Sequence, residues 1–520
     1  MKVILFGASG IVGQHMRLCV PEGIEPIWCR KTADPLHYGT DLTDAEQRTD
    51  LLHMVEPKVV VNLAGHNDVD FVERSPDASW DLNVEVPRLL ARWCDQHGAH
   101  YLHVSTQAVF DGQHAPYRPV SNYGSLVNAY GNQKQSAEAF VRRSDSWSIA
   151  RLTFMVGVRP LPTQGRENPV EAFLAGKQPQ QVWDRYFSVA FARDAAQSLW
   201  EMVQRQESGS IRHIGVPNGF SRFSLMSRFG EVKPVSHAAF QDLAERPLNT
   251  QWEGHDCPED FMEGRCGRVQ LDWQERAHLW LGQRARELAL FLGMTETVAL
   301  EKLSGGFFAL HAEVAADFRH ANPQNDEQLL DWYRETEAYL WELSAYHLDQ
   351  GFNYAGFQQG IVDRLKSEGK QRVLCLGDGI GDLTLACRRA GLDALYHDLA
   401  GSRTAAFAEF RFWAYSAERV PRLLTSAFAP DIGTHDFYAA ITANDFLEHL
   451  PNVEGWVRAI SEVLSPGGLL CAQNAFNCGS GPRGSIPCHL EVNDHYEHDW
   501  KGLMEQVGFE QVGDIWWRRR

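Results

Sequence analysis

The sequence predicts an α/β protein with two parallel-sheet domains joined by a helical connector. Three observations predict it. Short β-rich runs alternate with longer mixed segments from Met1 to about Gly157, helical periodicity takes over between about Gly254 and Gln371, and a second strand-first pattern opens at Arg372. With 520 residues, 44% of them hydrophobic and 22% charged, the chain can build about two to four cores at roughly 150 residues each.

In the first domain the candidate strands are Lys2 to Phe6, Ile24 to Cys29, Val59 to Leu63, Tyr101 to Ser105 and Ser148 to Leu152. Helical segments between them predict a parallel sheet covered on both faces. From about Gly165 to Trp252 the pattern is less regular, as expected of a smaller lobe facing a substrate. The second domain offers Val373 to Leu376, Ala394 to Tyr396, Phe437 to Ile441 and Gly468 to Cys471 as strands, and Gly479-Ser480-Gly481-Pro482 as a mobile surface loop. The expected division is residues 1–255, a connector over 256–324, and 325–520 with a helical lid over 325–368.

Charge and composition exclude several classes. The 49 basic and 67 acidic residues give a formal charge of −18, which opposes attraction to nucleic-acid phosphates and anionic membranes, so neither is expected as a partner. No uncharged apolar run approaches the roughly 20 residues that cross a bilayer, and the start reaches Gly7 too early for a signal peptide; a soluble cytoplasmic protein is expected. The ten cysteines lack paired metal spacing and read as reduced thiols, with no metal site.

The first strand runs directly into Gly7-Ala8-Ser9-Gly10-Ile11-Val12-Gly13 and then a helical segment. Gly7 permits a tight turn, Gly10 lets backbone approach a pyrophosphate, and Gly13 lets the helix pack closely on the sheet. The loop carries no charged side chain, so its amides, with Ser9, Ile11 and Val12 completing the cradle, can receive phosphate. After the second strand, where an acid would hold a ribose 2′-hydroxyl, the chain supplies Arg30-Lys31, which suits an added 2′-phosphate and favours NADPH.

Tyr130 and Lys134 are four apart and share a helical face. An ammonium beside the phenol is expected to lower its pKa toward working pH, so that Tyr130 gives a proton to an oxygen receiving hydride at carbon while Thr106 or Ser105 hydrogen-bonds that oxygen.

Together with Asp41-Leu42, Asn62-Leu63-Ala64-Gly65, Val69-Asp70, Asn83, Ser105 to Gly112 and Arg246 to Thr250, these motifs resemble the extended short-chain dehydrogenases, most closely the dTDP-4-dehydrorhamnose reductases, over about residues 1 to 255. The resemblance implies a Rossmann-like domain with Thr106, Tyr130 and Lys134 as the catalytic set, and Asp41, Leu42, Ala64 and Gly65 along the adenine and ribose part of the cofactor. Gln107-Ala108 stands where that family has Asp-Tyr, which removes a charge and a ring from the pocket. The regulatory subunit of methionine adenosyltransferase shares this fold, so a binding or assembly role for this half is the alternative.

The second loop, Gly377-Asp378-Gly379-Ile380-Gly381-Asp382, carries two carboxylates. These would repel a pyrophosphate and favour a sulfonium and an α-ammonium, both of which S-adenosylmethionine carries. Asp398, at the end of the next strand, is placed to accept from both ribose hydroxyls. With Asp445 to Pro451, Leu464 to Gly468 and Gly508-Phe509, this stretch resembles a class I S-adenosylmethionine-dependent methyltransferase, a second Rossmann-like domain. The resemblance implies Gly377, Gly379, Gly381 and Asp398 as cofactor residues, with Asp378 and Asn444 contributing. Methyl transfer to a hydroxyl needs a base, and His449, Glu448 and His489 are the candidates. The expectation is a bifunctional tailoring enzyme that reduces a ketone with NADPH and methylates oxygen with S-adenosylmethionine. Its substrate would be a small molecule of nucleotide-sugar type or a non-sugar secondary metabolite, and a homo-oligomer is compatible with it.

Overall fold

The computed structural model describes all residues except 163–165, 240–243, 255–256, 279–280, 350, 417–418, 434–437, 477–489, 491–492 and 494. The chain divides into two compact units, Met1–Ala299 and Leu300–Arg520.

In the first unit a seven-stranded sheet is built from β1 (Lys2–Phe6), β2 (Glu25–Arg30), β3 (Tyr38–Gly39), β4 (Val59–Asn62), β5 (His100–Thr106), β6 (Trp147–Leu152) and a late strand. Three short strands intervene, β7 (Phe154–Val156), β8 (Gln180–Val182) and β9 (Tyr186–Phe191), before that late strand, β10 (Ser210–Ile214). The order is β10-β6-β5-β4-β1-β2-β3 with every pairing parallel. Val3, Ile4, Leu5, Val59, Val60 and Val61 are fully buried, as continuous apolar strands covered on both faces require. The order reverses between β1 and β4, and a ligand crevice forms outside the carboxyl ends of strands at such a reversal.

The smaller lobe adds β11 (Val216–Phe220), β12 (Lys233–Val235) and β13 (Asn249–Thr250). β9 pairs with β7, β11 and β13, and β8 pairs with β12. Helix Glu259–His278, which the sequence assigned to a separate connector, puts Met262, Cys266 and Val269 into the core of this lobe beside Phe187 and Val189. Its Asp272 pairs with Arg193 at 3.1 Å and its Arg276 with the buried Glu171 at 2.9 Å. These contacts join the first part of the expected connector to the first unit, and the division falls after Ala299.

In the second unit, helices Asp326–Glu335, Ala338–Tyr346 and Tyr354–Ser367 precede a seven-stranded sheet. Its strands are β14 (Arg372–Leu376), β15 (Asp393–Leu399), β16 (Arg422–Thr425), β17 (Tyr438–Asn444), β18 (Leu464–Gln473), β19 (Phe509–Gln511) and β20 (Trp516–Arg519). The order is β16-β15-β14-β17-β18-β20-β19, parallel through β18 and antiparallel in the final hairpin. It reverses between β14 and β17. Among the described residues no helix is long and apolar enough to cross a membrane.

Candidate active sites

At the reversal in the first sheet lies a cavity of about 720 Å³, lined by Gly7, Gly10 to Gly13, Ala64, Gly65, Thr106, Tyr130 and Lys134. The three glycines differ in the room around them. Gly7 has φ +77°, and a Cβ there would stand 2.6 Å from the Ala64 nitrogen; a Cβ on Gly13 would strike the Ala8 backbone. A Cβ on Gly10 would meet only the Gly7 carbonyl, at 3.5 Å, so the loop stays open where a ligand would approach. Ser9 turns its carbonyl inward to accept from Gln14 Nε2 at 2.8 Å.

Tyr130 and Lys134 sit on helix Ala129–Val141, capped by Asn128, whose Oδ1 accepts from the Gly131 nitrogen at 2.8 Å. Gly131 has no room for a side chain against the Ala108 carbonyl, which lets this helix close onto the turn after Thr106. The expected depression of the Tyr130 phenol is not found. Burial pushes it up to about 12, with a hydrogen bond to Thr106 opposing the rise. Lys134 Nζ donates instead to the Val104 carbonyl at 2.8 Å, and burial brings it down to about 8. Ser105 is committed elsewhere, since its hydroxyl donates to Glu138 at 2.6 Å; of the two candidate hydroxyls, Thr106 faces Tyr130. Gln107 lines the cavity and accepts from the Thr153 hydroxyl.

Of the residues expected around the adenine and ribose, Ala64 and Gly65 line this cavity, whereas Asp41 and Leu42, with the cations Arg30 and Lys31, lie outside its lining. Lys31 Nζ is 2.9 Å from Asp41, which Lys31 and Thr43 hold down to about 2, and Arg30 donates to Asp34 at 2.7 Å. Both cations therefore meet a carboxylate with which a 2′-phosphate would compete. Leu42 is buried in the core with Val60 and Leu52.

In the second unit a cavity of about 110 Å³ is lined by Gly377, Asp378, Gly379, Asp398, Asn444 and His449, all expected, and by an aromatic wall that was not. Tyr333, Tyr339, Tyr346 and Tyr354 come from the three helices ahead of the sheet, and Phe428, Phe446 and Trp456 from behind. Such rings suit a sulfonium through cation–π attraction. Gly377, Gly379 and Gly381 all have positive φ, at 60°, 51° and 78°, and a Cβ on Gly379 would press on Leu343, on Gly381 on Phe412. Gly379 donates its backbone N–H to Asp398 at 2.7 Å, which orients that carboxylate; burial brings it up to about 6.

The two loop carboxylates do not act as the sequence suggested. Asp378 accepts from the Leu383 and Thr384 nitrogens at 3.1 and 2.7 Å, capping helix Asp382–Arg389, and burial raises it to about 7. Asp382 is paired with the buried Arg411 and lies 2.7 Å from His347 Nδ1. Besides Asp378, the acids that line the cavity are Asp398 and Asp445, beside the aromatic wall.

Asp445 is the residue that sequence reasoning passed over as a site group. It follows β17 with φ +47°, lines the cavity, and accepts from the Tyr346 hydroxyl at 3.3 Å. Burial raises its pKa. An Asn-Asp pair ending a strand was the available signal, because after glycine these residues tolerate the left-handed region best. Of the candidate bases, His449 faces the cavity with Nδ1 3.1 Å from the Tyr333 hydroxyl, Glu448 turns back to accept from the Ala475 nitrogen at 2.7 Å, and His489 lies outside the described residues. Asn444 Oδ1 accepts from the Gln473 nitrogen at 3.3 Å, holding the end of β17 to β18. The Gly479 to Pro482 segment also lies outside the described residues.

Residues 1–266 match the family described as RmlD substrate binding domain. The chain belongs to this RmlD family. Residues 350–512 match a methyltransferase domain, so the chain is a fusion of an RmlD domain with a methyltransferase domain. Over 165 residues it is 33% identical to the probable low-salt glycan biosynthesis reductase Agl14 of Haloferax volcanii, covering 31% of this chain and 55% of that protein. The probable dTDP-4,6-dihydroxy-2-methyloxan-3-one 4-ketoreductase of Streptomyces antibioticus is 27% identical over 270 residues, 49% of this chain and 88% of that one. Against several curated relatives, the Haloferax protein among them, the chain spans about half of the relative's length. The structure of dTDP-4-dehydrorhamnose reductase from Bacillus anthracis in complex with NADP aligns with 52% of this chain and 99% of its own, at 21% identity and a TM-score of 0.45.

Proposed function

We propose that the chain is a bifunctional tailoring enzyme whose RmlD domain reduces a ketone with NADPH on a nucleotide-sugar type substrate and whose methyltransferase domain methylates a hydroxyl oxygen. The observation that carries the first half is the Thr106–Tyr130–Lys134 group in one cavity with the open Gly10 loop. Its glycines fit a dinucleotide pyrophosphate, since Gly10 alone of the three would add a side chain toward open space. When bound, NADPH supplies hydride. Thr106 hydrogen-bonds the substrate oxygen and Tyr130, protonated at neutral pH because its phenol stands at about 12, gives that oxygen its proton. Lys134 holds the face of the helix that presents Tyr130 and offers a cation beside the cofactor. The relatives named for reduction of dTDP-linked ketones support this substrate class.

The second half is carried by the aromatic wall around Gly379 and Asp398. Asp398, fixed by the Gly379 N–H, is the acceptor for ribose hydroxyls, and the tyrosine rings face the region a sulfonium would take. S-adenosylmethionine supplies the methyl group when bound. His449 takes the acceptor's hydroxyl proton, with Tyr333 holding its ring.

The test is an incubation of the full chain with dTDP-linked 4-keto sugars, NADPH and methyl-labelled S-adenosylmethionine. Oxidation of NADPH with label in a stable ether is expected. NADPH oxidation by no keto sugar, or label only on nitrogen or carbon, would overturn the respective half.

A further inference from the structure

Behind the reductase site, four buried polar side chains form a row. Lys134 Nζ lies 3.4 Å from His103 Nε2, His103 Nδ1 lies 3.4 Å from the Tyr101 hydroxyl, and Asn62 Nδ2 donates to that hydroxyl at 3.1 Å. Asn62 Oδ1 accepts from the Ala64 nitrogen at 3.0 Å, and Ala64 is the residue whose backbone packs against Gly7. Asn62, Tyr101 and His103 are fully buried and Lys134 is 5% exposed. Of this row the proposed chemistry uses Lys134 alone, and polar groups as buried as His103, Tyr101 and Asn62 are expensive unless they act together.

We infer that His103 is a positioning residue for Lys134, keeping its amine hydrogen-bonded and aimed into the cavity in either charge state. The inference rests on the reductase reading above. A neutral imidazole is suited to this because its two nitrogens exchange roles. Toward an ammonium, Nε2 accepts while Nδ1 donates to the Tyr101 oxygen; toward a neutral amine, Nε2 donates while Nδ1 accepts from the Tyr101 hydroxyl. With the Val104 carbonyl taking a second N–H, one N–H of the ammonium remains for the cavity, where Lys134 is among the lining residues. Tyr101 passes the arrangement to Asn62 and so to the Ala64 loop, which ties the direction of Lys134 to the wall of the cofactor site.

Burial keeps His103 neutral by holding its pKa well below the usual value, with Lys134 adding to the depression and Glu138 opposing it. The other groups around Lys134 are Tyr130 and Glu138 on its own helix, the latter bound by Arg151 of β6 and Ser105 of β5. Tyr101 stands behind, with Cys94 nearby.

The experiment follows the pH titration of Lys134 by NMR of ¹³Cε-labelled lysine in the full chain, the signal being assigned by its loss in Lys134→Arg, for the wild type, His103→Phe, His103→Gln and Tyr101→Phe. His103→Phe should move the midpoint down by about one unit or more, equivalent to about tenfold less ammonium above the midpoint. His103→Gln, whose amide also both accepts and donates, should restore it. Tyr101→Phe, which removes a single oxygen, should shift it in the same direction by less, and decides the matter if His103→Phe does not fold. An unmoved midpoint in His103→Phe or Tyr101→Phe, or Gln behaving like Phe, would overturn the inference. The titration needs no turnover, so failure of every keto sugar to oxidise NADPH would count against the reductase reading and leave this result to stand by itself.

Discussion

His449 and Tyr333 meet across the methyltransferase cavity, with imidazole Nδ1 3.1 Å from the phenol oxygen and the two rings edge to face at 6.2 Å. A base role requires Nδ1 to carry the proton toward Tyr333, so that Nε2 takes one from the acceptor. His449→Asn should lower the rate of methyl transfer by about 10²-fold or more, the usual share of a general base, and leave S-adenosylmethionine affinity within about threefold. Tyr333→Phe should give a smaller loss of rate. Single-turnover methyl transfer and calorimetry check both, and equal loss of binding and rate would return His449 to a merely structural role.

Removal of the Tyr130 hydroxyl separates proton donation from cofactor binding. Tyr130→Phe should reduce ketone reduction by about 10²- to 10⁴-fold while NADPH binding, read by fluorescence, stays unchanged. Methyl transfer by the same protein should be unaffected.

Two glycines three residues apart, Gly10 and Gly13, should behave oppositely. Gly13→Ala forces a methyl into the Ala8 backbone and should destabilise the first unit by about 1–3 kcal/mol. Gly10→Ala meets open space and should leave the melting temperature unchanged but weaken dinucleotide binding. Thermal unfolding with and without NADPH distinguishes them.

Glu138 and Arg151 form a fully buried ion pair, 2.7 Å apart, behind the same site. Burial opposes ionisation of Glu138, but Arg151 prevails and holds the carboxyl down to about 2. A depressed acid contributes stability that is complete above its unfolded pKa, near 4.5, and is lost as pH falls through the folded value. Glu138→Gln leaves Arg151 buried without its charge partner and should cost about 3–5 kcal/mol at pH 7. It should also flatten the acid unfolding curve between about pH 4.5 and 2. An unchanged acid limb in that variant would contradict the assignment.

Much of the fold was legible along the chain. Strands such as Lys2–Phe6, Val59–Asn62 and Arg372–Leu376 are unbroken apolar runs ending in glycine loops, and burial on both faces leaves a sheet strand few other compositions. The late strand Ser210–Ile214 and the final hairpin were not legible. Ser-Ile-Arg-His-Ile is half polar because it lies at the sheet's edge, where neighbours rather than periodicity decide pairing.

Which residues could meet a ligand was set by local motif; what each one does there was decided by partners distant in sequence. Gly10 and Gly13 meet only the Gly7 carbonyl and the Ala8 backbone, within seven residues, so that part of the loop's geometry could be read directly, whereas Gly7 packs on Ala64 of another strand end. Asp382 reads as a ligand-facing acid until Arg411 and His347 arrive from other helices and take its oxygens. Lys134 reads as the neighbour that would acidify Tyr130 until Val104 and His103 draw its amine toward β5. The reason is the range of the forces: backbone sterics act over a few bonds and are written in consecutive residues, whereas burial and hydrogen-bond competition depend on which groups the folded chain brings to within about 3 Å.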